Sequence, residues 1–117
     1  MPWVQVHFPK PYERGVYDEV KAEIAKVLGE ELDKPEQGLS VSFYATNAFY
    51  RAGEASDKTA ALEVKYIGNF SLEKKKAVTE RLAAFLSEKL RYDPMKIIVL
   101  FTEVESCNWG RRGGDFS

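Results

Sequence analysis

The order strand, helix, strand is written into this chain twice, and few folds accept that order in so short a length. Residues 3–8 (Trp3 to Phe8) are rich in β formers and read as a strand. Pro9-Lys10-Pro11 ends it. From Tyr12 to Leu28, apolar residues recur at Val16, Val20, Ile24, Val27 and Leu28. That is the period of an amphipathic helix, with Asp18, Glu19, Lys21, Glu23 and Lys26 on its wet side. Gly29 is the expected stop, and residues 30–38 form a polar connection. Leu39-Ser40-Val41-Ser42-Phe43 alternates and reads as a half-buried strand. Residues 46–58 read as a loop.

The same order then returns. Residues 60–67 form a strand with Leu62, Val64 and Tyr66 on one face. Gly68-Asn69 turns the chain, and Ser71 is the expected N-cap of a helix over residues 72–90. Its apolar stripe is Ala77, Val78, Leu82, Phe85, Leu86 and Leu90. Asp93-Pro94 closes it, and residues 96–104 form the last strand. The tail, residues 105–117, is polar and glycine-rich.

The two halves repeat after about 58 residues, which asks to be read as an internal repeat. A helix between two strands favours a parallel, right-handed crossover in each half. The expectation is an α+β fold, β-α-β-β-α-β, with one four-stranded sheet and both helices on one face, in a single domain over residues 1–117. Ile97-Ile98-Val99-Leu100-Phe101 is apolar without interruption, as in strands covered on both faces. Two helices cover one face only, so self-association is expected to cover the other.

Charge excludes several classes. Lys and Arg total 17 against 18 acidic residues, a net charge of −1, so neither nucleic acid nor an anionic membrane is indicated as a partner. The longest apolar run is far too short to span a bilayer. No basic segment followed by an apolar one opens the chain, so a cytoplasmic location without a signal peptide is expected, with leaderless secretion not readable. Cys107 is alone and His7 is the only histidine. No disulfide, metal cluster or cofactor is expected. The glycines near the C-terminus open no helix, which argues against a phosphate loop.

Pro2 is the best candidate for a chemical group. Removal of Met1 leaves a secondary amine at the head of a strand, and an α-amino group titrates near ~8 in water. Burial in an apolar pocket disfavours its charged form. A neutral amine held there can take a proton from a carbon acid near neutral pH.

The chain resembles the macrophage migration inhibitory factor group of the tautomerase superfamily. The resemblance rests on Met1-Pro2 opening a strand, Lys34-Pro35 after the first helix, and Tyr66-Ile67-Gly68 ending the third strand. It also rests on residues 86–91 with Pro94, and on Asn108-Trp109-Gly110 with Asp115-Phe116 in the tail. These segments run in the right order over nearly the whole chain. The resemblance implies a homotrimer with the sheets forming a barrel, active sites between subunits, and cofactor-free interconversion of keto and enol acids such as phenylpyruvate. It implies Pro2 as catalytic base and Lys34 as holder of the substrate carboxylate. Substrate-binding positions carried over are Lys65, Tyr66, Ile67, Ile98, Leu100, Trp109, Arg111 and Phe116. Ile98 and Leu100 replace a tyrosine and an asparagine common in the group, and Lys65-Tyr66 replace a histidine and a serine.

Two other readings keep the same fold. One is a signalling ligand in which the pocket is incidental. The other is decarboxylase- or dehalogenase-type chemistry, in which the proline works with arginines and an acidic residue. Arg111, Arg112, Glu103 and Glu105 are the residues available for that.

Overall fold

The computed structural model describes residues 2–115. In chain order it contains β1 (Pro2–Phe8), α1 (Arg14–Leu32), β2 (Ser40–Ala45), β3 (Tyr50–Arg51) and β4 (Glu54–Ala55). The second half contains β5 (Ala61–Ile67), α2 (Leu72–Leu90), β6 (Ile98–Val104), β7 (Gly110–Arg111) and β8 (Gly114–Asp115). The main sheet runs β2-β1-β5-β6. β1 and β2 are parallel, β5 and β6 are parallel, and β1 meets β5 antiparallel at the centre. The expected α+β repeat is therefore present, with each helix linking a parallel pair.

Alternation along the central strands decides what is inside. Val4, Val6, Phe8, Leu62, Val64 and Tyr66 are fully buried beneath the helices, which contribute Val20, Ile24, Val27, Leu28, Val78, Leu82 and Leu86. Each such side chain stabilises the fold by roughly 1.5–3 kcal/mol relative to exposure. Phe8, Tyr12, Tyr17, Phe43 and Tyr92 form an aromatic cluster at one end of this core. β1 runs from the opposite end, at Pro2, into that cluster.

Three details differ from the sequence reading. Helix α1 does not stop at Gly29 but continues to Leu32. The extra turn buries Leu32 and brings Glu30 and Glu31 to Arg81 of α2, at 2.8 and 3.0 Å. Burying a leucine outweighs the ~1 kcal/mol that an interior glycine costs. Secondly, residues 46–58 are not all loop, because β3 and β4 form a hairpin. Ala52 and Gly53 both have positive φ at its tip (55° and 84°), as a primed hairpin turn requires. Thirdly, the tail forms the matching hairpin of β7 and β8, so the repeat extends to the end of each half. Among the described residues, no helix is long and apolar enough to cross a membrane.

Candidate active site

Pro2 is the first residue of β1, a position that costs no ladder donor. It is buried and stands opposite Tyr66 of β5, which in turn stands opposite Glu103 of β6. A single row thus crosses three strands at one end of the sheet.

Lys34 reaches this end from α1. Asp33 takes the left-handed conformation (φ 55°), which short polar side chains tolerate, and the Lys34 amide donates to the Leu28 carbonyl across the helix end. This closure fixes where the lysine leaves the helix. Its ammonium donates to the Ile67 carbonyl at 3.0 Å and lies 5.5 Å from the centre of the Phe70 ring. Gly68 has φ 131°, a conformation that side-chain-bearing residues rarely adopt, and it turns the chain directly after that carbonyl.

Beneath the turn sits a carboxylate that sequence reasoning did not single out for this place. Glu103 accepts hydrogen bonds from the Tyr66 hydroxyl at 3.0 Å and the Phe70 amide at 3.4 Å, and pairs with Lys75 at 2.6 Å. Lys75 first, then the Tyr66 hydroxyl, hold Glu103 below the usual carboxylate range. Burial first, then Glu103, push the Tyr66 phenol well above its ordinary value, so it stays a neutral donor. Tyr66 itself is fully buried on the helix side, with its ring 4.9 Å from that of Phe70. Only the register 66↔103 brings these groups together, and no local spacing announces it.

On the open side of the sheet, a cleft of about 450 Å³ is lined by Trp3, Lys65, Val104, Asn108 and Trp109, among others. The Lys65 ammonium lies 5.1 Å from the centre of the Trp3 ring. The Trp3 indole N–H donates to Ser42 Oγ at 3.0 Å. Lys65 and Trp109 thus line one cleft, while Lys34 and Ile67 touch beside Pro2.

Ile98 and Leu100 lie elsewhere. They are 44% and 52% exposed on the open face, and Ile98 is opposite Ala61, at the other end of β5 from Tyr66. Ile98 is five residue steps along β6 from Glu103 in the Pro2 row, roughly 16 Å along the sheet. One chain alone does not bring them to Pro2. Arg111 lies in β7 with its guanidinium folded against Gly114, where an added Cβ would stand 2.5 Å from Nη2. Phe116 and Met1 lie outside the described residues.

The chain matches the family model described as "Macrophage migration inhibitory factor (MIF)" over residues 1–117. Among solved structures it is similar to MIF2 of Leishmania major, with 23% identity, 99% of this chain and 97% of that one covered, and a TM-score of 0.86. It is similar to the macrophage migration inhibitory factor of Toxoplasma gondii at 19% identity, 97% and 99% coverage and a TM-score of 0.87. A fused 4-OT, described as an asymmetric trimer, shares 12% identity over 97% of this chain and 95% of that one, with a TM-score of 0.85. No match was found among curated protein sequences.

Proposed function

The chain belongs to the macrophage migration inhibitory factor family, and from that premise we propose that it is a cofactor-independent keto–enol tautomerase for small α-keto acids, with Pro2 as acid/base and Lys34 as the carboxylate holder. The observation that carries this reading is the Lys34 ammonium fixed at 3.0 Å on the Ile67 carbonyl, at the same strand ends where Pro2 is buried.

With Met1 removed, the Pro2 nitrogen takes a proton from the carbon beside the keto group. The C–H bond breaks, an N–H bond forms, and the electron pair moves to the keto oxygen as an enolate. The same proton, or one from water, then goes to that oxygen to give the enol. Burial and a nearby cation both disfavour a protonated amine, which keeps the lone pair available near neutral pH. Lys34 holds the substrate carboxylate through a charge-assisted hydrogen bond and so orients the carbon acid toward the proline. Ile67 and Trp109 supply apolar walls in this reading, and Tyr66 supports the strand end from beneath.

The working unit in this reading is a homotrimer. Trp3, Tyr44, Ile98 and Leu100 leave large apolar surface on the open face. Each two-residue hairpin pairs only with itself among the described strands, and an isolated hairpin is marginal in water. Neighbouring subunits account for both features. They also account for Ile98 and Leu100, which reach a Pro2 site only from another chain. The fused 4-OT trimer supports the same arrangement by likeness of fold.

The test is a phenylpyruvate enol–keto assay on native protein and on a Pro2→Gly variant. The variant is expected to lose at least ~10²-fold in proton-transfer rate, the low end of general-base contributions. Equal rates would make Pro2 a structural residue.

A further inference from the structure

Two groups at this end of the sheet, the anchored Lys34 ammonium and the Glu103 carboxylate, meet through the turn between β5 and α2. We propose that Glu103 is a positioning residue for Lys34: it holds the Phe70 amide and so fixes the turn over residues 67–70 with the Ile67 carbonyl aimed at the Lys34 ammonium. The consequence for substrate rests on the tautomerase reading, while the positioning of the ammonium does not.

The contacts run without a break from one group to the other. Glu103 Oε1 pairs with the Lys75 ammonium at 2.6 Å and accepts from the Tyr66 hydroxyl at 3.0 Å and the Phe70 amide at 3.4 Å. One oxygen thus ties the turn to β5, β6 and α2. The two shorter contacts fix the carboxylate, and the longer one passes its position on to the turn. From the other side, the Lys34 ammonium donates to the Ile67 carbonyl at 3.0 Å and lies 5.5 Å from the centre of the Phe70 ring. Both of its contacts therefore belong to the segment that Glu103 holds.

That segment needs an anchor. Gly68 directly follows the Ile67 carbonyl with φ 131°, and a residue without a side chain does little by itself to fix the direction of that carbonyl. Gly68 and Asn69 are both exposed. β5 ends at Ile67, and α2 begins after Ser71, whose hydroxyl accepts from the Lys74 amide at 3.2 Å. Between these two ends, Phe70 is the point at which Glu103 pins the turn to the sheet. The closure onto the Leu28 carbonyl sets where Lys34 leaves α1. Its ammonium, at the end of a flexible stem, takes its final place from the acceptor it meets.

The test reads Lys34 directly and then through substrate. Glu103→Leu alone would orphan the Tyr66 hydroxyl, so the change is made on a Tyr66→Phe background, where both partners become apolar. NMR relaxation of the Lys34 ammonium nitrogen reads how firmly the group is held. The Tyr66→Phe reference is expected to keep an ordered ammonium, and Tyr66→Phe/Glu103→Leu to lose that order toward the value of free lysine. An ammonium equally ordered in both overturns the proposal. Should the double variant fail to fold, or the reference itself lose the ordered ammonium, the wild type decides. As the pH falls through the titration of Glu103, below its ordinary 4.5, the order at Lys34 should fall with the same midpoint, and a constant order overturns the proposal. In the phenylpyruvate assay, the double variant should raise KM over the reference by at least ~5-fold, more than it lowers kcat, as the loss of one hydrogen bond to the substrate implies. With Lys34→Met present, adding Glu103→Leu should change KM by less than about twofold, because its effect passes through the lysine. Additive effects in that cycle mean that Glu103 reaches substrate by another route and overturn the proposal. A released ammonium with unchanged KM sustains the positioning and overturns Lys34 as carboxylate holder. With no measurable turnover, the tautomerase reading fails and the ammonium measurement alone decides.

Discussion

The two faces of the central sheet are made from alternate residues of the same strands, but they are completed differently. Toward the helices, Val4, Val6, Phe8, Leu62, Val64 and Tyr66 are sealed within one chain. Toward the open side, β1 and β5 present Trp3, Gln5, His7, Glu63 and Lys65, and β6 presents the exposed Ile98 and Leu100. The first face is a core held chiefly by hydrophobic burial, with the Tyr66 hydroxyl bonded to Glu103 at its end. The second mixes an ion pair, a lysine on an indole and bare apolar surface, a composition suited to a face shared between chains and to a binding cleft. The candidate site lies where the two faces end together, at Pro2, Lys34 and Ile67.

The largest expected effect is on the sealed face. Leu62→Ala should cost about 2–5 kcal/mol in urea denaturation, because the helices cannot collapse fully onto the gap. A loss under 1 kcal/mol would mean that this face is not the core described here.

On the open face, Leu100→Asp should act on assembly and spare the fold. Light scattering should move from about three times the 13.3 kDa chain mass toward one, with far-UV circular dichroism retained. A variant that stays assembled would show that Leu100 is not at a subunit boundary.

The pH dependence of stability separates the site's supporting carboxylate from both faces. Glu103 titrates lower in the folded chain than its ordinary 4.5 because of Lys75 and Tyr66. A depressed carboxylate contributes stability that is present above its unfolded value and lost as pH falls through the folded one. Wild type should therefore exceed Glu103→Gln in thermal midpoint at pH 7, with the gap closing below about pH 4.5. A gap constant down to pH 2 would contradict the assigned pairing.

The smallest effect belongs to the surface. Asp18 pairs with Arg14 at 3.3 Å with both side chains mostly exposed, and Asp18→Ala should change stability by less than about 0.5 kcal/mol in the same denaturation assay. A larger loss would give the outer surface of α1 a role it lacks in this account.

How much of this was legible depends on range. The strands and helices show in the sequence because period-2 and period-3.6 patterns are local, and Ser71 does cap α2, accepting from the Lys74 amide. The two hairpins do not show, because two-residue strands carry no period and Ala52-Gly53 lacks the Asn-Gly signal. The end of α1 was misplaced because Leu32 and the Arg81 pairs are tertiary gains that outweigh a local glycine. At the site, Pro2 stands out by chemistry alone. The meeting of Lys34 with Ile67, and of Tyr66, Glu103 and Lys75, depends on how the helix end and the strand register align, which no spacing encodes.

The central claim is that a free Pro2 amine does the chemistry. Its most direct test is the phenylpyruvate enol–keto rate of two preparations differing only at the N-terminus, each checked by intact mass: one beginning at Pro2, the other retaining Met1. Retention turns the Pro2 nitrogen into an amide with no basic lone pair. The account predicts a fall of at least ~10²-fold in the retained form. Equal rates in the two preparations would contradict it.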